Sequence, residues 1–333
     1  MSSLSCLQVR EIFLLVAKEI CKVLFVSICR FIAAVAALTL NLTILSSFVF
    51  LLFFCRFPFT YLGKIFSLRR LVTNFDVAID GLIHLHSRNL RFILVRICGV
   101  DLSCHLPESL SSARSYVMVI NHRSQADILV ILATFYDKIP DVKFFLKSSL
   151  FWVPFLGQFC YLMNYVFVKR ISARQVRRNP LVIQNQRELI RQQCRQLIKN
   201  PVTLAVFAEG TRFSVSDHKT HLSGRNLAHL LSPQPAGVAL ALEASSPDIE
   251  DFIDVTLAYD VGFVSVWLLL SGQVKTIEIH AELHNVSTAK LVGDYVNDRQ
   301  YRKRFTGWVR RLWAKKDEHL SRIYQRFSSK NYL

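Results

Sequence analysis

Val117-Met118-Val119-Ile120-Asn121-His122-Arg123-Ser124-Gln125-Ala126-Asp127 is an apolar, largely β-branched run that breaks into polar residues before an apolar segment of helical character resumes. A buried strand that feeds a polar turn and then a helix is the local signature of an α/β sheet, and such sheets hold their ligands outside the carboxyl ends of the strands. His122 and Asp127 are five residues apart. On one ideal helix that spacing turns them roughly 140° from each other, so a hydrogen bond between them requires His122 to sit on the turn before the helix. Ser124 as N-cap would start the helix there. Asp127 then accepts from one imidazole nitrogen, fixes the tautomer and leaves the other nitrogen to take a proton from a hydroxyl as general base. No Ser or Cys nucleophile is then required. The same residues also read as a capping-box variant beside an ordinary loop histidine.

Outward from this stretch, from about residue 85 on, short β-branched runs alternate with longer mixed segments, the rhythm of an α/β domain. Strands are expected at Tyr116–Ile120, Val142–Leu146, Tyr165–Val168, Thr203–Phe207, Ile253–Ala258 and Val274–Leu283. Helices are expected at Ser124–Phe135 and Leu181–Ile198, the latter opening behind Asn179-Pro180, where proline's missing N–H costs nothing.

Two further strands close on polar turns. Val202 to Ala208 runs into Glu209-Gly210-Thr211-Arg212. Gly210 permits close backbone approach, Arg212 offers a fork of donors suited to phosphate, and Thr211 with nearby N–H groups adds hydrogen bonds, an anion site in outline. Tyr165-Val166-Phe167-Val168 ends on Lys169-Arg170, two cations suited to a phosphate. Each of these is also what a plain solvated turn looks like. Pro233 to Gly237 opens a small-residue apolar stretch, Val238–Leu242, that fits an acyl channel or a core element.

Towards the amino terminus the composition changes. Hydrophobic residues make up 52% of the 333, and the mean hydropathy is +0.30, more than one soluble core needs. Between Arg30 and Arg56, Phe31–Cys55 carries no charge, and a helix of that length exceeds a bilayer's hydrocarbon core. This segment is expected to be a membrane anchor, as one span, a hairpin turning near Asn41-Leu42-Thr43, or one of a pair of helices that includes Ile12 to Ile28, since basic residues flank both ends and do not orient it. Lys and Arg exceed Asp and Glu by 41 to 24, a formal charge of +17. Such an excess draws a protein to polyanions, and without a zinc-finger, homeodomain-like or RNP1-like pattern the polyanion is anionic lipid, not nucleic acid.

Eight cysteines form no CxxC pair and imply neither zinc nor a disulfide framework. The histidines outside the His122 motif, among them His105, His280 and His319, never build HExxH with a third ligand, and His218 with His221 reads as a loop pair, so no metal is expected. The sequons at Asn41 and Asn285 carry little weight. From Arg299 on, Tyr301, Phe305, Trp308 and Leu312 fall at helical spacing among Arg302, Lys303, Arg310, Arg311, Lys315 and Lys316, a basic amphipathic helix.

In order, Asn121-His122 with Asp127, Phe167-Val168 with Arg170, Glu209-Gly210-Thr211-Arg212 and the block after Pro233 resemble the NHxxxxD, FVxR, EGTR and proline-containing blocks of the glycerolipid acyltransferase family, which includes 1-acylglycerol-3-phosphate acyltransferases. Asp254 to Tyr259, and Trp308 through Trp313 to Lys316-Asp317, resemble the branch with lysocardiolipin and lysophosphatidylinositol acyltransferases and their bacterial relatives. The resemblance implies His122 as base with Asp127 as its partner. It implies that Arg170, Glu209, Gly210, Thr211 and Arg212 bind a phosphorylated acceptor. The donor implied is acyl-CoA or acyl carrier protein, with no bound cofactor. Three positions depart from the pattern: Asn164 and Ala208 stand where the family often has Gly and Pro, and Asp260 where it has Pro.

The expected architecture is therefore an α/β fold, a mixed sheet flanked by helices and preceded by an N-terminal membrane-embedded helical segment. Its parts are an anchor over 1–65, an acyltransferase domain over 66–298 and a basic helix over 299–333. The expected activity is transfer of a fatty acyl group to a lysophospholipid, 1-acylglycerol 3-phosphate foremost, at a membrane's cytoplasmic face (the inner membrane in a bacterium). Glycerol 3-phosphate or a lysophospholipid with a larger head group is the alternative acceptor. A non-catalytic protein binding anionic lipid is the alternative of another class. Oligomeric state is left open.

Overall fold

The computed structural model describes residues 6–66, 69–153, 157, 160–161, 163–169, 171, 175, 178–179, 181–213, 227–246, 249, 251–286 and 291–330. Seven strands, β1 (Asp101–His105), β2 (Tyr116–Ile120), β3 (Val142–Lys147), β4 (Val166–Val168), β5 (Thr203–Phe207), β6 (Asp251–Tyr259) and β7 (Thr276–Asn285), form one sheet in the order β1-β7-β6-β2-β5-β3-β4. All neighbours are parallel except β6 and β7, so the sheet is mixed. The strand that carries the His122 motif, β2, is central and buried at every residue. That is why its sequence is an unbroken apolar run and does not alternate.

Side chains alternate between two helical layers. Met118, Ile120, Ile253, Val255 and Leu257 face a core shared with α1 (Cys6–Phe66), α2 (Arg69–Phe92) and α3 (Ala126–Phe135). Val117, Val119, Phe252 and Ala258 face a second core. It is shared with α4 (Leu181–Leu197), α5 (Pro235–Ser245) and α7 (Arg299–Lys330), while α6 (Val266–Leu270) lies on the first face. The apolar stretch around Val238–Leu242 is thus a core helix. Asp101–His105 went unrecognised as a strand, because Asp-Leu-Ser-Cys-His at a sheet edge has neither apolar alternation nor β-branched residues.

At the amino terminus α1 runs unbroken for 61 residues, about 90 Å at 1.5 Å per residue. It contains Ala17–Ile44, which is long and apolar enough to cross a membrane and is 6% buried. The hairpin alternative is corrected: Asn41-Leu42-Thr43 is helical throughout. The Asn41 amide is used sideways against α2, donating to the His86 carbonyl at 3.4 Å and accepting from Asn89 at 3.2 Å. A polar side chain on an otherwise apolar helix finds its partners on the packed neighbour instead of breaking the helix. Phe31 packs at a tilt against Trp267 of α6, centroids 3.8 Å apart and planes at 45°, tying α1 to the domain.

The apolar face of α7, with Tyr301, Phe305, Val309 and Trp313, is a core face. Trp313 is fully buried. Lys316, whose side chain has no exposure, reaches through this layer to pair with Asp254 of β6 at 2.6 Å, and also donates to the Val255 carbonyl. A lysine buried this way helps only while its partner is present. Lys316→Met is therefore expected to cost about 3–5 kcal/mol by leaving Asp254 uncompensated. Lys316→Met with Asp254→Leu is expected to recover most of that loss. Melting of the two variants in detergent checks both, and a double variant no more stable than the single one contradicts the reading.

Candidate active site

The site is built where β2 ends. Asn121 continues the sheet with its side chain, donating to the Leu257 carbonyl at 2.9 Å and accepting the Leu257 N–H at 2.8 Å. This pins the first residue after the strand to β6 and leaves His122 at the rim. The helix begins at Ala126 with Gln125 as its cap residue, one position later than expected. Ser124 is not the cap; its hydroxyl accepts the Ala126 N–H at 3.1 Å. His122 thus lies on the turn before the helix, as its spacing to Asp127 requires.

Asp127 sits in the first turn of α3 with no exposure. One oxygen, Oδ2, accepts from His122 Nδ1 at 2.8 Å, the Arg123 N–H at 2.7 Å and the Ser124 N–H at 2.9 Å. The other, Oδ1, accepts the Tyr259 hydroxyl at 2.7 Å. Two partners are N–H groups that can only donate, so the carboxylate acts as an acceptor throughout. Nδ1 of His122 must then carry the proton and Nε2 the lone pair. Among the described residues nothing hydrogen-bonds Nε2. The ring is held in plane by Phe207, stacked at 4.1 Å and 21°. Asp127 both secures the backbone of the turn and orients the histidine.

Glu209 is turned inward. Its Oε1 accepts the His122 N–H at 3.0 Å and its Oε2 the Leu231 N–H at 3.1 Å, so it braces two turns and does not point outward. Gly210 follows with φ +69°, where an added Cβ would meet Gln234 Cγ at 3.2 Å, and both the angle and the contact favour glycine. Thr211 and Arg212 emerge exposed beyond this turn. They make no hydrogen bond or ion pair among the described residues. Arg170 lies outside the described residues. Sequence reasoning passed over Tyr259, although it closes a quoted segment, and Arg123. The Arg123 guanidinium donates to the carbonyls of His229 at 3.0 Å and Gly262 at 3.2 Å and lies 4.4 Å over the Phe213 ring.

The three departures have local causes. Asn164 has φ +55°, a left-handed position that Gly fills freely and Asn tolerates. Ala208 donates its N–H to the Ile120 carbonyl at 3.2 Å, a bond between β5 and β2 that Pro cannot make. Asp260 donates its N–H to Thr276 at 3.1 Å, and its carboxylate accepts the N–H groups of Lys275 and Thr276.

Burial pushes the Glu209 carboxyl up to about 7 from an ordinary 4.5, against the pull of the N–H groups of His122 and Leu231. A raised folded-state value means that the contribution to stability is complete below about 4.5 and is lost as pH rises through about 7. Glu209→Gln does not titrate. The stability of wild type minus that of the variant is expected to fall by on the order of 3 kcal/mol between those two pH values. Melting curves at stepped pH read this directly, and a pH-independent difference contradicts it.

A family model described as Acyltransferase matches residues 101–259, the span from β1 to the end of β6. An uncharacterized acyltransferase of Schizosaccharomyces pombe is 37% identical over 105 residues, 32% of this chain and 33% of that one. The 1-acyl-sn-glycerol-3-phosphate acyltransferase epsilon of Mus musculus is 25% identical over 54% of this chain and 50% of its own. A 2-acyl-1-lysophosphatidylinositol acyltransferase of Saccharomyces cerevisiae is 23% identical over 37% and 33%. The chain spans between a third and a little over half of the length of the curated relatives it matches. The crystal structure of a 1-acyl-sn-glycerophosphate acyltransferase from Thermotoga maritima superposes with a TM-score of 0.46 at 14% identity, covering 85% of this chain and 98% of that one. The His122–Asp127 pair and the Glu209–Arg212 turn both lie inside the matched span, so residues 101–259, a little under half of the chain, are similar to the acyltransferase family.

Proposed function

We propose that this protein transfers a fatty acyl group from acyl-CoA to the free hydroxyl of a lysophospholipid, with 1-acylglycerol 3-phosphate as the preferred acceptor. The observation that carries this reading is the His122–Asp127 contact, which orients an imidazole with its Nε2 lone pair at the rim of the sheet. The hydroxyl gives its proton to Nε2 as its oxygen attacks the thioester carbonyl carbon. The C–S bond then breaks, and the departing sulfur takes the proton back from the imidazolium. Asp127 stabilises that imidazolium without itself being protonated. The N–H groups of Thr211 and Arg212, without partners among the described residues, are suited to the oxyanion.

Arg212 binds the acceptor phosphate by charge-assisted hydrogen bonds, with Arg170 and Thr211 as its companions. Glu209 and Gly210 shape the turn that presents them. Ala17–Ile44 attaches the chain to the bilayer that holds the acceptor, and the domain works on the cytoplasmic side. The reaction needs no cofactor beyond its donor.

Two alternatives have observations behind them. The relative named as a lysophosphatidylinositol acyltransferase favours an acceptor with a larger head group. The row Arg299, Arg302, Lys303, Arg310 and Arg311 lining one groove on α7 favours anionic-lipid binding without catalysis. Purified protein assayed with long-chain acyl-CoA against a panel of acceptors separates these. His122→Ala is expected to lose at least about 100-fold in kcat with its circular dichroism unchanged. Arg212→Ala is expected to raise KM for the phosphorylated acceptor by roughly 10- to 100-fold, with a smaller effect on kcat. Release of CoA only with other lysolipids replaces the acceptor. Full activity in His122→Ala removes the mechanism.

A further inference from the structure

Away from His122, a second group of titratable side chains gathers where the sheet edge meets α7. Glu278 and His280 are two apart on β7 and so share the face towards α7. His105 of β1 is the register partner of His280, and the two imidazoles stack at 4.2 Å and 20°. From α7, His319 sets its ring 4.3 Å from that of His280. Its Nε2 is buried with no hydrogen-bond partner. Arg326 follows on the same helix and bonds the Glu278 carboxylate.

Three donor atoms converge here. His280 Nε2 lies 2.6 Å and His105 Nε2 3.9 Å from Glu278 Oε1, and one ligand atom from each of the three lies within 4.8 Å of the others. In a tetrahedral zinc site, ligands at about 2.0–2.2 Å from the metal stand roughly 3.3 Å apart, so small side-chain movements bring all three into range. Two imidazoles and a carboxylate are a donor set for zinc and the later first-row divalent metals. We propose that His105, Glu278 and His280 form a binding site for a divalent transition metal, with His319 or water in the fourth position, clamping α7 to the β1–β7 edge.

Arg326, half exposed, is the cation that competes for the Glu278 carboxylate. This arrangement gives substitutions of opposite sign. No local sequence pattern marks the site, because its ligands come from two strands far apart in the chain.

The test uses the full, untagged chain in detergent, equilibrated with Zn2+ and dialysed, with bound zinc counted and affinity measured against a chromophoric chelator. Wild type is expected to retain about one zinc per chain and to melt higher with zinc than after chelation. His105→Ala and Glu278→Gln are expected to weaken binding at least ~10-fold, and Arg326→Gln to tighten it roughly 10-fold. The exposed His105 side chain makes the first variant a safe folding control, checked by circular dichroism. No retained zinc, or retention unchanged in His105→Ala and Glu278→Gln, overturns the proposal.

Discussion

A carboxylate withdrawn from water must replace its lost hydration with donors or raise the energy of the whole fold. Asp127 does so with four: the His122 ring and the N–H groups of Arg123 and Ser124 from the turn after β2, and the Tyr259 hydroxyl at the end of β6. The turn after β2, the first turn of α3 and the neighbouring strand are therefore held in one arrangement. The orientation of His122 is a by-product of satisfying a buried charge. Glu209 repeats the device one strand over, joining the His122 backbone to that of Leu231.

The carboxy-terminal helix belongs to the same construction. Asp317 accepts the N–H groups of Ala228 and His229 at 2.7 and 2.8 Å, and the His229 carbonyl in turn holds Arg123, next to the histidine. With Lys316 on Asp254, two adjacent residues of α7 brace the central sheet and a loop at the site. The similarity noticed at Lys316-Asp317 has this physical content. A basic exposed face and a charged residue at the heart of the packing coexist on one helix.

Much of this was legible in the chain. β2 and β5 are read off their apolar runs, since strands buried on both faces leave no ambiguity of face. The spacing of His122 and Asp127, worked through helix geometry, already demanded a turn before the helix. What escaped has physical reasons. Ser124 and Gln125 are separated as cap residues by backbone angles that composition does not record. Tyr259 reaches Asp127 across 132 residues of sequence, and His105 reaches His280 across two strands whose pairing is set only once the sheet is assembled. A lysine in an amphipathic repeat looks solvated until its partner is located. Asn41, a turn candidate in an apolar run, is satisfied sideways by α2 and leaves the helix whole.

Every step of the chemistry depends on Asp127 holding His122 with its proton on Nδ1 and its lone pair on Nε2. Nitrogen NMR of the full chain with 15N-labelled histidine, assigned through His122→Gln, reads that tautomer directly. The neutral His122 ring is expected in the Nδ1–H form, and Asp127→Asn is expected to lose that preference. A predominant Nε2–H form, or a preference unaltered by Asp127→Asn, would contradict it.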